Sequence, residues 1–327
     1  MANPNTEPLV SRQPQIEDGD LSPACVMTFN ASDPSGVGGL TADVTAITSA
    51  GAHPLAIVTG AYIRDTAEIL DHFAFDDEVV SEQARVALED MQVAAIKVGF
   101  AGSPENISAI AQIATDYSEV PVVAYMPDLS WWDESEIDSY LDAFCELLLP
   151  QVTLLIGNHS TLWRWLLPDW STERSPSARD IAKAASAQGV PYTLVTGMAV
   201  NESFIDNVLA TPQTVLYSEK FERFEATFEG TGETLSAALC ALLANGHDLQ
   251  AATAEALTYL DHSLDAGFQP GMGHIVPDRL FWAQAESDED AEEADDEALN
   301  PKTPAADDNA ALLSQLPFEL PPNGTKH

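Results

Sequence analysis

Gly230, Thr231, Gly232 and Glu233 stand in succession just ahead of an apolar helical pattern. Glycines let backbone N–H groups approach an anion closely, and the first-turn N–H groups of a helix lack intrahelical partners and favour negative charge. A carboxylate at the same place can take a proton from an attacking hydroxyl. These types in this order predict a phosphoryl-transfer turn, with Gly230 to Gly232 cradling the anion and Glu233 as general base. The same four residues also make an ordinary helix start, with Glu233 as a first-turn acid favouring the dipole. The turn alone does not decide between the two.

A second segment of the same kind lies near the other end of the chain. Asn30 to Asp43 packs Asp33-Pro34-Ser35-Gly36 and Gly38-Gly39 between the strand-like Cys25 to Phe29 and a helical pattern. That is the shape of a βα loop, and open α/β sheets bind ligands in loops at the carboxyl ends of their strands. An unliganded glycine-rich connection has the same composition.

The elements that must hold both segments alternate. Strand patterns run over Leu55 to Thr59, Ala94 to Val98, Val120 to Tyr125, Val152 to Ile156, Tyr192 to Thr196 and Phe204 to Leu209. Helical patterns fall at Ala42 to Ala50, Val79 to Met91, Pro104 to Asp116, Ile137 to Leu149 and Ala178 to Gln188. The alternation predicts an α/β fold, a mostly parallel central sheet with helices on both faces. After the glycine turn, Leu235, Ala238, Leu239 and Leu242 recur at helical spacing, and Gly246 is placed to end that helix in the left-handed conformation.

The two segments together resemble the hydroxymethylpyrimidine/phosphomethylpyrimidine kinases of the ribokinase-like superfamily, as a divergent member. Asn30 to Asp43 is similar to the family's opening Ala-Gly-Ser/Thr-Asp-Pro-Ser-Gly-Gly-Ala-Gly pattern, and Gly230 to Ala238 to its closing Gly-Thr-Gly-Cys-Thr pattern. Between them Ala56 to Thr66, Lys97 to Phe100 and Leu149 to Asn158 match family segments in the same order, so the likeness spans about residues 24 to 282. It implies a ribokinase-like three-layer sandwich, ATP and Mg²⁺, a heterocyclic small-molecule substrate and a homodimer. By position it assigns Ala31, Asp43, Arg64 and Phe100 to the substrate, Asn158, Thr196 and Gly197 to the nucleotide, and Asp128 to the metal.

The departures bear on chemistry. Glu233 replaces the family's Cys, and Arg64 replaces the Gln that reads the pyrimidine; Gln both donates and accepts, whereas Arg only donates. Thr196 replaces a Lys, and neither the acid of the family's Asp-Pro-Val-Met nor the Glu of its Asn-x-x-Glu is kept in register. The reading is ATP-dependent phosphorylation of hydroxymethylpyrimidine, its monophosphate, or both, in thiamine synthesis. Its alternatives are a pyridoxal-type kinase acting on a related hydroxymethyl heterocycle and a catalytically impaired kinase-derived binding protein.

Composition sets limits. With 327 residues and 45% hydrophobic content the chain can bury a large core. A formal charge of −39 argues against nucleic-acid or anionic-membrane binding, both of which need a basic footprint. No apolar run reaches membrane-spanning length, and the three cysteines show no metal-ligand spacing, so a cytoplasmic protein is expected. The domain is expected over 23–284. Residues 1–22 read as a flexible lead, and 285–327, acidic from Glu286 to Glu297, as a disordered tail. The Trp131-Trp132 and Trp163-Arg164-Trp165 clusters fit either ring-stacking platforms or packing.

Overall fold

An eight-residue strand, β1 (Cys25–Ser32), is the hub of a nine-stranded sheet. The structure, a computed structural model, describes residues 22–283. The lead expected over 1–22, apart from Ser22, and the acidic tail lie outside the described residues. Helix α1 (Gly39–Ser49) returns the chain to β2 (His53–Arg64), parallel to β1. An antiparallel strand, β3 (Ile69–Ala74), then forms one edge. Helix α2 (Asp77–Asp90) carries the chain to β4 (Val93–Val98), on the other side of β1. Two neighbours of β1 therefore lead away in opposite directions, which opens a crevice beyond their carboxyl ends.

The parallel series continues outward through α3 (Pro104–Asp116), β5 (Val122–Met126), α4 (Glu134–Ala143), β6 (Leu154–Asn158), α5 (His159–Leu166), α6 (Ala178–Ala187) and β7 (Tyr192–Ala199). Antiparallel β8 (Phe204–Ala210) and β9 (Val215–Glu222) close the far edge. Helices α7 (Thr231–Ala244) and α8 (Leu249–Asp265) follow. The expected α/β sandwich with a mostly parallel sheet is observed.

Alternation along the strands separates two apolar layers. Val26, Ala95, Val123, Leu154 and Leu194 face α1, α7 and α8. Met27, Phe29, Ile96, Val98 and Leu155 face α2, α3, α4 and α6. Burial on both faces accounts for the nearly continuous apolar runs of the central strands. At the end of α7, Gly246 takes φ +90, its N–H donates to the Leu243 carbonyl, and His247 N–H donates to that of Leu242. This is the paired C-terminal bonding that favours glycine, as the sequence pattern predicts.

Several elements differ from the sequence pattern. Helix α4 starts at Glu134, three residues early, because Asp133 caps it by accepting from Ser135 N–H at 3.0 Å. It then runs through a π turn (Phe144–Leu148) and a short 3₁₀ turn (Leu149–Gln151), where Pro150 removes a backbone donor. β2 continues to Arg64, past the expected end at Thr59, because β3 pairs with its second half. β3, β9, α5 and α8 were not among the patterned segments. Among the described residues no helix is long and apolar enough to cross a membrane.

Between β1, β4 and α1 sits a buried ion pair. Lys97 Nζ donates to Asp43 Oδ1 at 2.7 Å, both side chains fully enclosed, while Asp43 Oδ2 accepts from Thr28 Oγ1 at 2.7 Å and Asn30 Nδ2 at 3.0 Å. Removing one partner leaves a charge without compensation at a site water does not reach. Lys97→Met is expected to cost about 3–5 kcal/mol in urea unfolding, and the Asp43→Asn/Lys97→Met double variant to recover more than half of that.

Candidate active site

The loop after β1 is shaped by Asp33. Its Oδ1 accepts from Ser35 N–H at 2.8 Å and Ser35 Oγ at 2.6 Å, and its Oδ2 from Gly38 N–H at 2.8 Å. Opposite lies the start of α7, where Gly230 takes φ +76. A β-carbon on Gly230 would stand 1.8 Å from the Val37 carbonyl oxygen, so only glycine permits this backbone-to-backbone approach. Arg279 fastens the two segments together. Its Nη2 donates to the Val37 carbonyl at 2.6 Å and its Nε to Thr234 Oγ1 at 2.9 Å, and Thr234 Oγ1 in turn donates to the Gly230 carbonyl at 2.7 Å. The Thr231 and Gly232 amides are thereby held in place. Helix geometry gives them no carbonyl one turn earlier.

Two cavities flank this turn. The first, about 370 Å³, is walled by Tyr62, Ile69, Tyr125 and Trp131, with Arg64, Asp128, Glu229 and Glu233 among its polar lining. The second, about 190 Å³, is walled by Ile205, Phe221, Leu260 and Leu264, with Asn158, Thr196, Gly197 and Asn207 beside them. Tyr125, Thr231 and Gly232 line both. Tyr125 packs flat enough on Gly232 that a β-carbon there would fall 2.2 Å from its ring. A group seated at the α7 amides would therefore lie on the boundary between the two spaces.

Glu233 lines the first cavity and has protein on its other sides. Burial raises its carboxyl above the ordinary glutamate range; the Lys97 ammonium pulls it down, and Glu229 and Asp43 push it further up. Arg64, its side chain 4% exposed, stands 3.3 Å from Glu229 and 3.8 Å from Asp33 and donates from Nε to the Asp65 carbonyl at 3.1 Å. It is thus held by two carboxylates and shapes the wall. Thr66 is gripped from the far end of the fold. Gly273 N–H donates to Thr66 Oγ1 at 3.0 Å and His274 N–H to the Thr66 carbonyl at 2.9 Å. The glycine-rich Gly271 to His274 stretch is therefore a turn that braces the loop carrying Ala67 and Glu68 on the first cavity's wall.

The sequence-assigned residues divide between these places. Glu233, Gly230 to Gly232, Arg64 and Asp128 line the first cavity; Asn158, Thr196 and Gly197 line the second. Asp43 is not among the residues that line the first cavity: it is fully buried and paired with Lys97 between β1, β4 and α1. Ala31 and Phe100 are also buried. Phe100 stacks behind Tyr62 at 5.5 Å and packs edge-on to Trp131 and Trp132, so Trp131 faces the cavity while Trp132 belongs to the packing beneath.

Asp128 was expected to bind metal, yet its carboxylate accepts from Ser130 N–H at 3.1 Å and Ser130 Oγ at 3.0 Å and lies 3.5 Å from Arg164. Among the described residues no three His, Cys, Asp or Glu side chains are grouped to hold an ion. Asp128 is therefore engaged by Ser130 and Arg164.

Arg279, Glu229, Tyr125 and Asn207 were not singled out from the sequence. Arg279 carried one signal, a cation that stands with Asp278 inside the largely apolar Ile275 to Trp282 run of a chain with 13 lysines and arginines. Asn207 carried none. Its Oδ1 accepts from Gly197 N–H at 3.1 Å, which fixes the amide's orientation and leaves Nδ2 buried without a partner on the wall of the second cavity. An orphaned buried donor costs free energy unless a ligand or water meets it.

A family model described as phosphomethylpyrimidine kinase matches residues 33–278. The hydroxymethylpyrimidine/phosphomethylpyrimidine kinase of Streptomyces coelicolor is 26% identical over 267 residues, 81% of this chain and 97% of that protein. Its counterpart in Mycobacterium tuberculosis is 27% identical over 80% of this chain and 95% of its own length. Among solved structures, pyridoxal kinase from Staphylococcus aureus in complex with AMP-PCP and pyridoxal superposes with a TM-score of 0.70 at 20% identity, covering 81% of this chain and 96% of that one. Phosphomethylpyrimidine kinase from Clostridium difficile gives 0.61 at 17% identity, covering 74% and 99%.

Arg279→Lys keeps the charge but loses the planar fork that reaches the loop and the helix at once. Hydrogen exchange of the Gly36 and Gly38 amides is expected to accelerate about 10-fold in this variant, with exchange in the β1 core unchanged.

Proposed function

The chain belongs to the phosphomethylpyrimidine kinase family, whose members are small-molecule kinases, and we propose that it moves the terminal phosphoryl group of ATP onto the hydroxymethyl oxygen of a pyrimidine in thiamine synthesis. One observation carries the reading: two cavities meet at the Thr231 and Gly232 amides, with Glu233 on the side of the first. The alcohol ring occupies the first cavity against Tyr62 and Trp131. The nucleotide occupies the second, its base among Phe221, Leu260 and Leu264, and Asn207 Nδ2 donates a hydrogen bond to a nucleotide acceptor. As the alcohol oxygen attacks the terminal phosphorus, its proton passes to Glu233. The bond from that phosphorus to the bridging oxygen breaks and the nucleoside diphosphate leaves. The Thr231 and Gly232 N–H groups face the negative charge that develops, already oriented by Arg279 and the Gly230 conformation.

Glu233 suits this role because a carboxyl raised toward the working pH is a stronger base than an exposed one. The rate is expected to rise with pH through the raised Glu233 pKa and level off above it, and kcat for Glu233→Gln to fall by about 10²–10⁴-fold. The same burial works against stability. Between the ordinary glutamate value and the raised one the folded protein binds more protons than the unfolded chain, so stability falls as pH rises through that window. Glu233→Gln is therefore expected to raise Tm at neutral pH while kcat drops. A variant that lost kcat without gaining Tm would argue against a buried catalytic carboxylate.

The homodimer implied by the family resemblance has a candidate surface. Edge strand β3 and the residue after it expose Leu70, Phe73 and Phe75, with Ile63 of β2 exposed nearby, and we assign this apolar edge to a second copy. A nucleotide donor fits a cytoplasmic location. Phe73→Lys is expected to shift light-scattering mass from the dimer to the monomer, and an unchanged mass would remove β3 from the interface.

A further inference from the structure

The charges around the first cavity restrict what it can hold. Among the described residues lining it, Arg64 is the one cation, set against Glu68, Asp128, Glu229 and Glu233. Arg64 is already engaged by Glu229 and Asp33. The cations just outside are engaged as well. Lys97 is fully buried against Asp43 at 2.7 Å, Arg279 donates to loop carbonyls and Thr234, and Arg164 at the mouth lies 3.5 Å from Asp128. His274 is 3.5 Å from the far oxygen of Glu229. A neutral ring carrying amino donors can give hydrogen bonds to these carboxylates, and a cationic ring gains further from them. A dianionic phosphomonoester in the same space meets carboxylates on several sides, and each cation near it already faces a carboxylate or loop carbonyls, Arg64 and Lys97 in buried pairs and Arg164 in an exposed one.

We propose that this cavity accepts an uncharged or cationic amino-heterocyclic alcohol and rejects its phosphomonoester, so that the chain performs one phosphoryl transfer and releases the monophosphate. This rests on the phosphoryl-transfer reading above and narrows it to the first of the two acceptors, the free alcohol and its monophosphate. The single transfer forms one bond from the alcohol oxygen to the terminal phosphorus of ATP, breaks that phosphorus away from the nucleoside diphosphate, and leaves the alcohol proton on Glu233. A second transfer would need the phosphate oxygen of the product to re-enter beside Glu229 and Glu233 as a nucleophile, against like charge. The reaction consuming the product must then be carried out by a site with free cations.

The experiment pairs turnover with binding on the full chain. Hydroxymethylpyrimidine and its monophosphate are each supplied with ATP and Mg²⁺, and products are followed by phosphorus NMR. In parallel, each compound alone is titrated by calorimetry. The alcohol is expected to give monophosphate that accumulates, with kcat/KM for the monophosphate roughly 100-fold lower or worse, and the monophosphate to bind at least about 10-fold more weakly than the alcohol. Glu68→Lys, which places a free cation on the wall, is expected to narrow the kcat/KM ratio between the two acceptors by about 10-fold. Diphosphate formed from the monophosphate at a comparable kcat/KM overturns the inference and leaves the kinase reading standing. Absence of all turnover, with the alcohol still bound in preference to the monophosphate, overturns the kinase reading and the single transfer with it, and supports only the cavity's preference for the alcohol. Equal binding of the two, or binding of neither, overturns the inference whatever the turnover.

Discussion

The site is built on a buried ion pair. Lys97 and Asp43 meet at 2.7 Å, between the two strands where the sheet changes direction and the helix that follows the first of them. A pair so placed cannot be justified by strength alone, since apolar side chains of similar volume often serve stability as well. Its effect here is positional. Asp43 also accepts from Thr28 and Asn30, and Asn30 Oδ1 accepts from the Ala31 and Phe100 amides, so one carboxylate sets the ends of β1 and β4 in register. The same Lys97 charge reaches Glu233 and opposes the rise that burial imposes on it.

Above this pair the architecture brings backbone against backbone. Gly230 admits the Val37 carbonyl, Gly232 admits the Tyr125 ring, and Arg279 ties loop and helix with three donated bonds. Each contact removes a freedom that the α7 amides would otherwise have. Donors fixed before charge develops stabilise it without reorganising, and this matters more in a cavity walled by Tyr62, Tyr125 and Trp131 than it would in water. The electrostatic design is otherwise acidic, in keeping with the composition of the whole chain.

Much of this was legible in the sequence, and the reasons differ by residue. The helix start at Gly230 to Glu233 could be read because glycines and a first-turn acid ahead of an apolar helical run mark one. Central strands could be read because burial on both faces leaves unbroken apolar runs. Strand β3 could not, since its Leu70 and Phe73 are exposed while His72 packs against Phe100 and Trp132, the reverse of an inside-out alternation. Asp43 was placed at the substrate because its position in the motif is visible and its partner, Lys97, is 54 residues away. Arg279 lies 242 residues from the carbonyl it holds. Pairings of that separation are a property of topology, and the pattern of local residue types carries no trace of them.

The grip of Gly273 and His274 on Thr66 joins residues about 207 positions apart. During synthesis from the N-terminus, β1, β2 and the turn at Thr66 emerge long before the segment that braces them. A nascent chain can thus lay down most of its sheet while the turn that leads to Ala67 and Glu68, on the wall of the first cavity, still lacks its brace. Delivery of that brace and of Arg279 to the α7 turn come almost together, near the end of the described fold. A chain cut short of them has the strand sequences but neither the brace nor the tie, which makes the intact Gly271 to Arg279 stretch the natural marker of a finished enzyme.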